Sequence, residues 1–227
     1  MSLAAATGIG SANFIATAKP QAIGPTADRS SRELLIGHDV MRNERIDTID
    51  KGQVQLLFAD QSSLSIAPDS DIVINEFLYD PQTQIGNLSA TVTTGVLRYV
   101  GGLVSKTRDV TFYTPTAVVT LRGGIIVIKA ERDARLNQGS GGRTEVYFLS
   151  GDRMCVTANE QTRCTAKFAT AITSERGQPP SAPVPVTTEM IEALFSNLQA
   201  ANRGAPSGAL AQPTSQTPPV AVHLATD

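Results

Sequence analysis

Apolar and polar residues alternate along most of the chain with the two-residue period of a half-buried β-strand. In one such run, Val54, Leu56 and Phe58 share one face of the predicted strand. Comparable runs lie near residues 64–66, 72–79, 88–93, 96–100, 110–113, 117–121, 125–130 and 144–149. Turn-forming Gly, Pro, Asp and Ser residues separate these runs, and helical periodicity is missing between residues 9 and 172. The pattern therefore predicts an all-β sandwich, barrel or solenoid.

A change in composition at Glu175 marks the end of the predicted β region. Residues 177–185 are rich in proline and predict a stiff, extended linker. Thr188 then caps a predicted helix, and its apolar stripe has helical spacing. The stripe consists of Ile191, Leu194, Phe195 and Leu198. It is buried either against its own β domain or against a partner. We expect the former, because most isolated helices of this length are marginally stable.

We expect five consecutive segments. Residues 1–8 lack the charged and apolar regions of a signal peptide, so they would be a start and linker ahead of a mature sequence. A native cytoplasmic start fits these residues as well. Residues 9–174 form the β domain, 175–187 the proline-rich linker, and 188–202 the amphipathic helix. Residues 203–227 are rich in Pro, Ser, Gln and Ala, and we expect them to be disordered.

Cys155 and Cys164 are the only cysteines, and each lies in a stretch of strand-like composition. The two-residue loop 159–160 would join these stretches, with Ala158 opposite Gln161 as the closing hydrogen-bonded pair. Counting outward, the two cysteines then face each other at a non-hydrogen-bonded pair, where Cα atoms lie about 4.5 Å apart. That separation suits a disulfide, and a disulfide indicates an oxidising compartment such as the periplasm. Two buried free thiols are the alternative.

Composition argues against several classes of function. The formal net charge is −2 with both signs scattered, so no basic stripe is available for nucleic acid. No run of 18 apolar residues is present, which argues against a transmembrane segment. His38 and His223 are the only histidines and lack zinc-ligand or serine-triad context. We assign the carboxylates of Asp69, Asp71, Glu76 and Asp80 to turn capping and solvent exposure. We therefore expect no enzyme activity, catalytic residue, cofactor or metal.

The stretch 37–124 resembles the FecR domain through the order and spacing of short motifs. The matching segments are Gly37, Ile46-Asp47-Thr48, Gly52, 57–64 (LFADQSSL), Pro68, 74–81 (INEFLYDP), 95–102 (GVLRYVGG), 114–117 (TPTA) and 121–124 (LRGG). With weaker ends included, the resemblance extends from about residue 9 to residue 165. One position departs from the pattern, because the Arg-Gly-Thr of the family is Arg122-Gly123-Gly124 here.

The resemblance implies a stand-alone extracytoplasmic β domain, expected to be periplasmic and exported, with its signal peptide outside this chain. It favours stacked short strands in a solenoid-like fold, with a sandwich as the alternative. Signalling members of the family carry a cytoplasmic sigma-regulating segment and a membrane helix ahead of this domain. Neither is found in this sequence, so the resemblance does not imply sigma-factor control by this chain.

Four side chains are candidates for binding, each with a structural alternative. Arg122 either holds a partner's carboxylate or satisfies backbone carbonyls in its own turn. Phe77, Tyr79 and Tyr99 either form an exposed patch or pack within the fold. Together with the resemblance, these residues lead to a non-enzymatic periplasmic interaction module for envelope signalling or protein docking. The alternative is a carbohydrate- or cell-wall-binding envelope protein, in which the rings stack on sugars. The expected partner is accordingly a protein or a cell-wall glycan.

Overall fold

A computed structural model of the chain describes residues 8–16, 21–23, 31–48, 52–132 and 142–199, and strands dominate these ranges. The strands are β1 (Gly8–Ala16), β2 (Gln21–Ile23), β3 (Ser31–Glu33), β4 (Asp39–Met41), β5 (Glu44–Thr48), β6 (Gln53–Phe58), β7 (Ser63–Ile66), β8 (Ser70–Asp80), β9 (Ile85–Val100), β10 (Val110–Tyr113), β11 (Val118–Arg122), β12 (Ile125–Arg132), β13 (Gly142–Ser150), β14 (Arg153–Ala158), β15 (Gln161–Thr165), β16 (Thr170–Glu175) and β17 (Val184–Pro185). The helices are α1 (Leu103–Thr107) and α2 (Thr188–Gln199). The predicted all-β fold with one C-terminal helix is confirmed.

All 17 strands belong to one hydrogen-bonded network. Its pairings form two layers that share β9. The first layer has the order β4-β1-β6-β7-β9-β12-β13-β16-β17. The second has the order β3-β2-β5-β8-β9-β10-β11-β14-β15. The chain crosses repeatedly from one layer to the other, so the fold combines solenoid-like winding with the two packed layers of a sandwich.

Strand β9 joins the layers. Its residues 85–94 pair with β8 in the second layer, and residues 95–100 pair with β12 in the first. The second part begins at Gly95, whose φ is +103°, and a Cβ there would overlap Ser70. The sequence pattern predicts two separate strands here, over 88–93 and 96–100. They are two parts of one strand, because a glycine can bend the backbone without ending the hydrogen-bonded ladder.

The main hydrophobic core lies between the layers and draws side chains from both. Phe58 of the first layer and Phe77 of the second have ring centroids 4.9 Å apart. Tyr99 and Phe112 form an edge-on pair at 5.2 Å. Burying such rings contributes on the order of 1.5–3 kcal/mol each. The two-residue period of the sequence thus corresponds to burial between two sheets.

Helix α2 packs on the outer side of the first layer, as expected for its apolar stripe. Leu194 lies in a second apolar cluster with Val127 and Tyr147, and Ile191 packs against the same cluster. The side chains of Phe195 and Leu198 lie outside the described residues. The predicted linker also docks in part, since β17 within it pairs with Thr170 and Ala171 of β16. Residues 1–7 and 200–227 are not described, so the proposed segment boundaries remain predictions.

The β14–β15 hairpin forms as the sequence predicts. Ala158 faces Gln161 across the loop 159–160, and Cys155 faces Cys164. These cysteines form a disulfide whose Cα atoms lie 4.0 Å apart. In the chain-entropy account, closing a loop of this length stabilises the fold by about 2–3 kcal/mol. The bond attaches β15 to the edge of the second layer.

Candidate functional site

Two of the motifs that carry the FecR resemblance, 57–64 and 95–102, meet at a buried polar cluster. We call it the Asp60 cluster; it consists of Asp60, Ser62, Tyr99, Gly102 and Ser105. The Asp60 carboxylate is fully buried and accepts bonds from the Ser62 amide at 3.0 Å and the Ser62 hydroxyl at 2.5 Å. Burial, reinforced by the negative charge of Asp60, raises the pKa of Tyr99 above its ordinary value. The cluster therefore holds segments of the fold together and is closed to solvent.

The short helix α1 begins at this cluster. The other oxygen of the Asp60 carboxylate accepts the Val104 N–H at 3.1 Å, and the Leu103 N–H donates to the Asp60 carbonyl at 2.9 Å. Asp60 therefore caps α1 from a distant part of the chain. The sequence did not predict α1, because a helix of five residues is too short to show a helical period.

Arg122 is engaged within the fold. Its Nε donates to Asp109 Oδ1 at 2.7 Å, and its Nη1 donates to the carbonyl oxygen of Thr107 at 2.5 Å. Arg153 binds the other oxygen of Asp109 at 3.2 Å. The guanidinium satisfies a backbone carbonyl, as in the structural alternative, but that carbonyl belongs to Thr107 at the end of α1 and not to the 122–124 turn. Arg122 thus ties β11 to the end of α1, and Asp109 links it to Arg153 of β14.

The three candidate rings do not form one exposed patch. Tyr99 is fully buried, and Phe77 is only 6% exposed. Tyr79 is partly buried and packs against the main core. The expectation of an exposed aromatic patch at Phe77, Tyr79 and Tyr99 is therefore corrected for Phe77 and Tyr99, since strand alternation points both rings between the layers. Tyr113, at 44% exposure, is more accessible than any of these three rings.

A groove of about 610 Å³ opens beside Tyr79, between the end of β6 and the far part of β8. We call it the β6–β8 groove. Its lining consists of Ile9, Gly10, Ser11, Asp39, Leu57, Phe58, Ala59, Phe77, Leu78, Tyr79 and Pro81. Leu57 and Leu78 on its sides are 43% and 56% exposed. Exposed leucines around an apolar depression are typical of interaction surfaces.

The two leucines were missed by the sequence analysis, although the sequence contains a signal for them. Strict alternation would place polar residues at positions 57 and 78, yet the chain reads Leu56-Leu57-Phe58 and Phe77-Leu78-Tyr79. Apolar residues on both faces of a strand indicate that the outward face also contacts something apolar. The core rings and the exposed leucines thus come from the same short runs.

Charged groups lie at the rim of the groove. Asp39 lines the groove itself, and a smaller adjoining depression of about 390 Å³ is lined in part by Asp80 and Arg108. The Gln82 amide donates to Asp80 at 2.9 Å, and so does the Thr83 hydroxyl, also at 2.9 Å. These bonds hold the pKa of Asp80 below its ordinary value. Asp80 caps its turn, as the sequence suggested, and remains ionised at the rim.

Within the described ranges, no group of three or more His, Cys, Asp or Glu side chains is placed to hold a metal ion. Asp71 instead pairs with Arg45, whose Nε and Nη2 donate to its two oxygens at 2.7 and 2.9 Å. None of the helices in these ranges is long and apolar enough to cross a membrane.

Comparison with known proteins shows a similarity of fold. A crystal structure of a proposed anti-sigma factor from Parabacteroides distasonis superimposes with a TM-score of 0.50 at 11% identity. The match covers 67% of this chain and 64% of that protein. A second crystal structure with the same description gives a TM-score of 0.48, also at 11% identity and the same coverage. No protein-family profile matches the chain, and no curated protein does so. At this level of identity, the first structure shows the fold alone.

Proposed function

We propose that this chain is a non-enzymatic docking module of the bacterial envelope, which binds a partner protein through the β6–β8 groove. The observation that carries the proposal is the pair of exposed leucines, Leu57 and Leu78, on either side of an apolar groove. Proteins rarely expose contiguous apolar surface without a binding role. The occupant we infer is an apolar segment of a partner protein, because a soluble polar ligand would gain little from this lining.

A regulatory role is supported by two further points. The FecR resemblance concerns a family with signalling members, and a structure of similar fold is described as a proposed anti-sigma factor. Beside the groove, motifs 57–64 and 95–102 meet in the buried Asp60 cluster, which suits a rigid platform for docking. We infer that the chain carries a signal by binding, without a chemical step.

Crosslinking from within the groove tests this proposal. A photo-reactive phenylalanine analogue at position 78, in cells that make the protein naturally, is expected to form an adduct with an envelope protein. The same analogue at Phe168, which is 66% exposed on the β15–β16 loop, is the matched control and should give none. The adduct at position 78 should fall severalfold in a Leu57→Ser background, because the opposite side of the groove loses its apolar contact.

Two results would contradict the docking proposal. Equal yields of adduct from positions 78 and 168 would mean that the groove binds proteins no better than other exposed apolar surface does. An adduct formed only with a second copy of this chain would make the groove a self-association surface. Mass spectrometry of the crosslinked peptide distinguishes these outcomes from a true partner.

We further propose a periplasmic location, which the Cys155–Cys164 bond supports because such bonds persist in oxidising compartments. Cells quenched with acid and treated with a thiol-reactive reagent under denaturing conditions are expected to give unmodified protein. Prior reduction should add two labels, and a Cys155→Ser/Cys164→Ser variant should take none. Labelling of both thiols without reduction would place the chain in a reducing compartment and overturn this part of the proposal.

The glycan-binding alternative has less support. Two of the three rings assigned to it, Phe77 and Tyr99, are in the core and present no face for stacking. The docking proposal is therefore preferred.

A further inference from the structure

The β6–β8 groove lies where the second layer lacks a strand. Strand β5 pairs with β8 from Ser70 to Ile74, where Glu44 is the last partner. Beyond this point β8 continues to Asp80, paired on its other side with β9. Among the described strands, none pairs with residues 77–80 of β8 on the β5 side. The backbone there forms a sheet edge directly beside an apolar groove.

Contacts from the β4–β5 turn to the earlier part of β8 show where its open edge begins. The Asn43 N–H donates to the Ile74 carbonyl at 2.7 Å, and Arg42 Nε reaches the Asn75 carbonyl at 3.4 Å. Arg42 also lies 3.7 Å from Glu76. The β4–β5 turn therefore covers β8 as far as Glu76, and the open edge starts at Phe77.

The outer edges at β15, β17 and β3 carry features that discourage strand addition, whereas this edge carries a single charge at its end, Asp80, which is held by its own turn. On β15, Arg163 lies opposite Val156 and is exposed, so this edge strand carries a charge. Strand β17 contains Pro185, and β3 carries Arg32 and Glu33. Such charges and prolines are the usual protection of sheet edges. Residues 77–79 of β8 are instead Phe, Leu and Tyr.

We propose that the partner's segment binds as an added β-strand, lying along residues 77–80 of β8 in the position that β5 leaves empty. This inference rests on the proposed docking function and specifies its mode. Backbone hydrogen bonds to the β8 edge would supply affinity, and alternate side chains of the segment would enter the groove against Phe58 and Phe77. The partner is thus an extended segment with apolar residues at every second position.

A short helix in the groove is the competing mode, and it would leave the backbone groups of the β8 edge without protein partners. The two modes predict different chemistry in the ligand. An added strand uses the backbone N–H of every second residue, whereas a helix satisfies its own backbone and presents side chains every three or four residues.

The test uses a displayed library of short linear peptides, selected on the full chain with its disulfide intact. Selected peptides are expected to alternate apolar and polar residues. Leu78→Ser should weaken their binding on the order of tenfold or more, whereas Phe168→Ser should leave it unchanged. Peptides N-methylated one residue at a time should then lose binding on the order of tenfold at alternate positions only, because each such methyl group removes a donor to β8.

Each outcome decides the inference. A loss with period two that depends on Leu78 supports strand addition. Groove-dependent peptides that tolerate N-methylation, or lose binding every third or fourth residue, overturn strand addition and leave the docking function intact. A library that yields no peptide sensitive to Leu78→Ser also overturns strand addition. In that case the docking function is still judged separately, by crosslinking from position 78 in cells.

Discussion

Replacing Gly124 with threonine, the residue that the FecR pattern has at this position, is expected to destabilise the fold by about 3 kcal/mol or more. Gly124 has a φ of +89°, which a β-branched residue adopts only with strain. A Cβ at this position would also overlap the carbonyl oxygen of Ser150 on the neighbouring strand. Urea unfolding followed by far-ultraviolet circular dichroism measures the loss, since the chain has no tryptophan to report it.

Gly37→Thr is the matched control. Gly37 also has a positive φ, +83°, but a Cβ there would meet nothing within 4 Å. Its substitution should cost only the backbone strain, on the order of 1–2 kcal/mol. If Gly124→Thr lowered the free energy of unfolding no more than Gly37→Thr does, the overlap inferred between a Cβ at position 124 and Ser150 would be contradicted. The departure from the family pattern would then have no steric cause.

The departure at Gly124 illustrates which parts of the fold the sequence could predict. The β14–β15 hairpin was predictable down to its residue pairs, because loop length and strand alternation are local properties. The start of α2 was predictable to within one residue for a similar reason. Thr188, predicted as the cap, is the first helical residue, and the Thr187 hydroxyl accepts the Met190 N–H at 3.4 Å. The close approach of Gly124 to Ser150 was not predictable, because it depends on where β13 ends beside this turn, which is a tertiary property.

The candidate site was less predictable than the fold. Phe77 and Tyr99 were chosen as aromatic candidates, yet alternation alone could not tell which face of β8 or β9 would meet the other layer. The groove arises because β5 stops opposite Ile74 while β8 continues, and the relative length of paired strands is a tertiary property. The local signal for the groove was that Leu57 and Leu78 are apolar at positions where strand alternation would place polar residues.

Asp60→Ala is expected to lower the free energy of unfolding by about 3 kcal/mol. The substitution leaves three buried donors without their acceptor: the Ser62 amide, the Ser62 hydroxyl and the Val104 amide. Each unsatisfied buried donor costs about 1–3 kcal/mol, and structural relaxation around the smaller side chain recovers part of the total. Chemical denaturation of the oxidised protein measures the difference, and helix α1 should lose its cap at the same time.

Two further variants separate capping from general sensitivity to the loss of a carboxylate. Asp60→Asn keeps an acceptor for Ser62 but turns an amide group toward the Val104 N–H, so its cost should fall between those of wild type and Asp60→Ala. Asp152→Ala removes an exposed carboxylate and should change stability by less than about 0.5 kcal/mol. If Asp60→Ala matched Asp152→Ala, the Asp60 cluster would not be holding β6, β9 and α1 together. The rigid platform proposed for docking would then need another support.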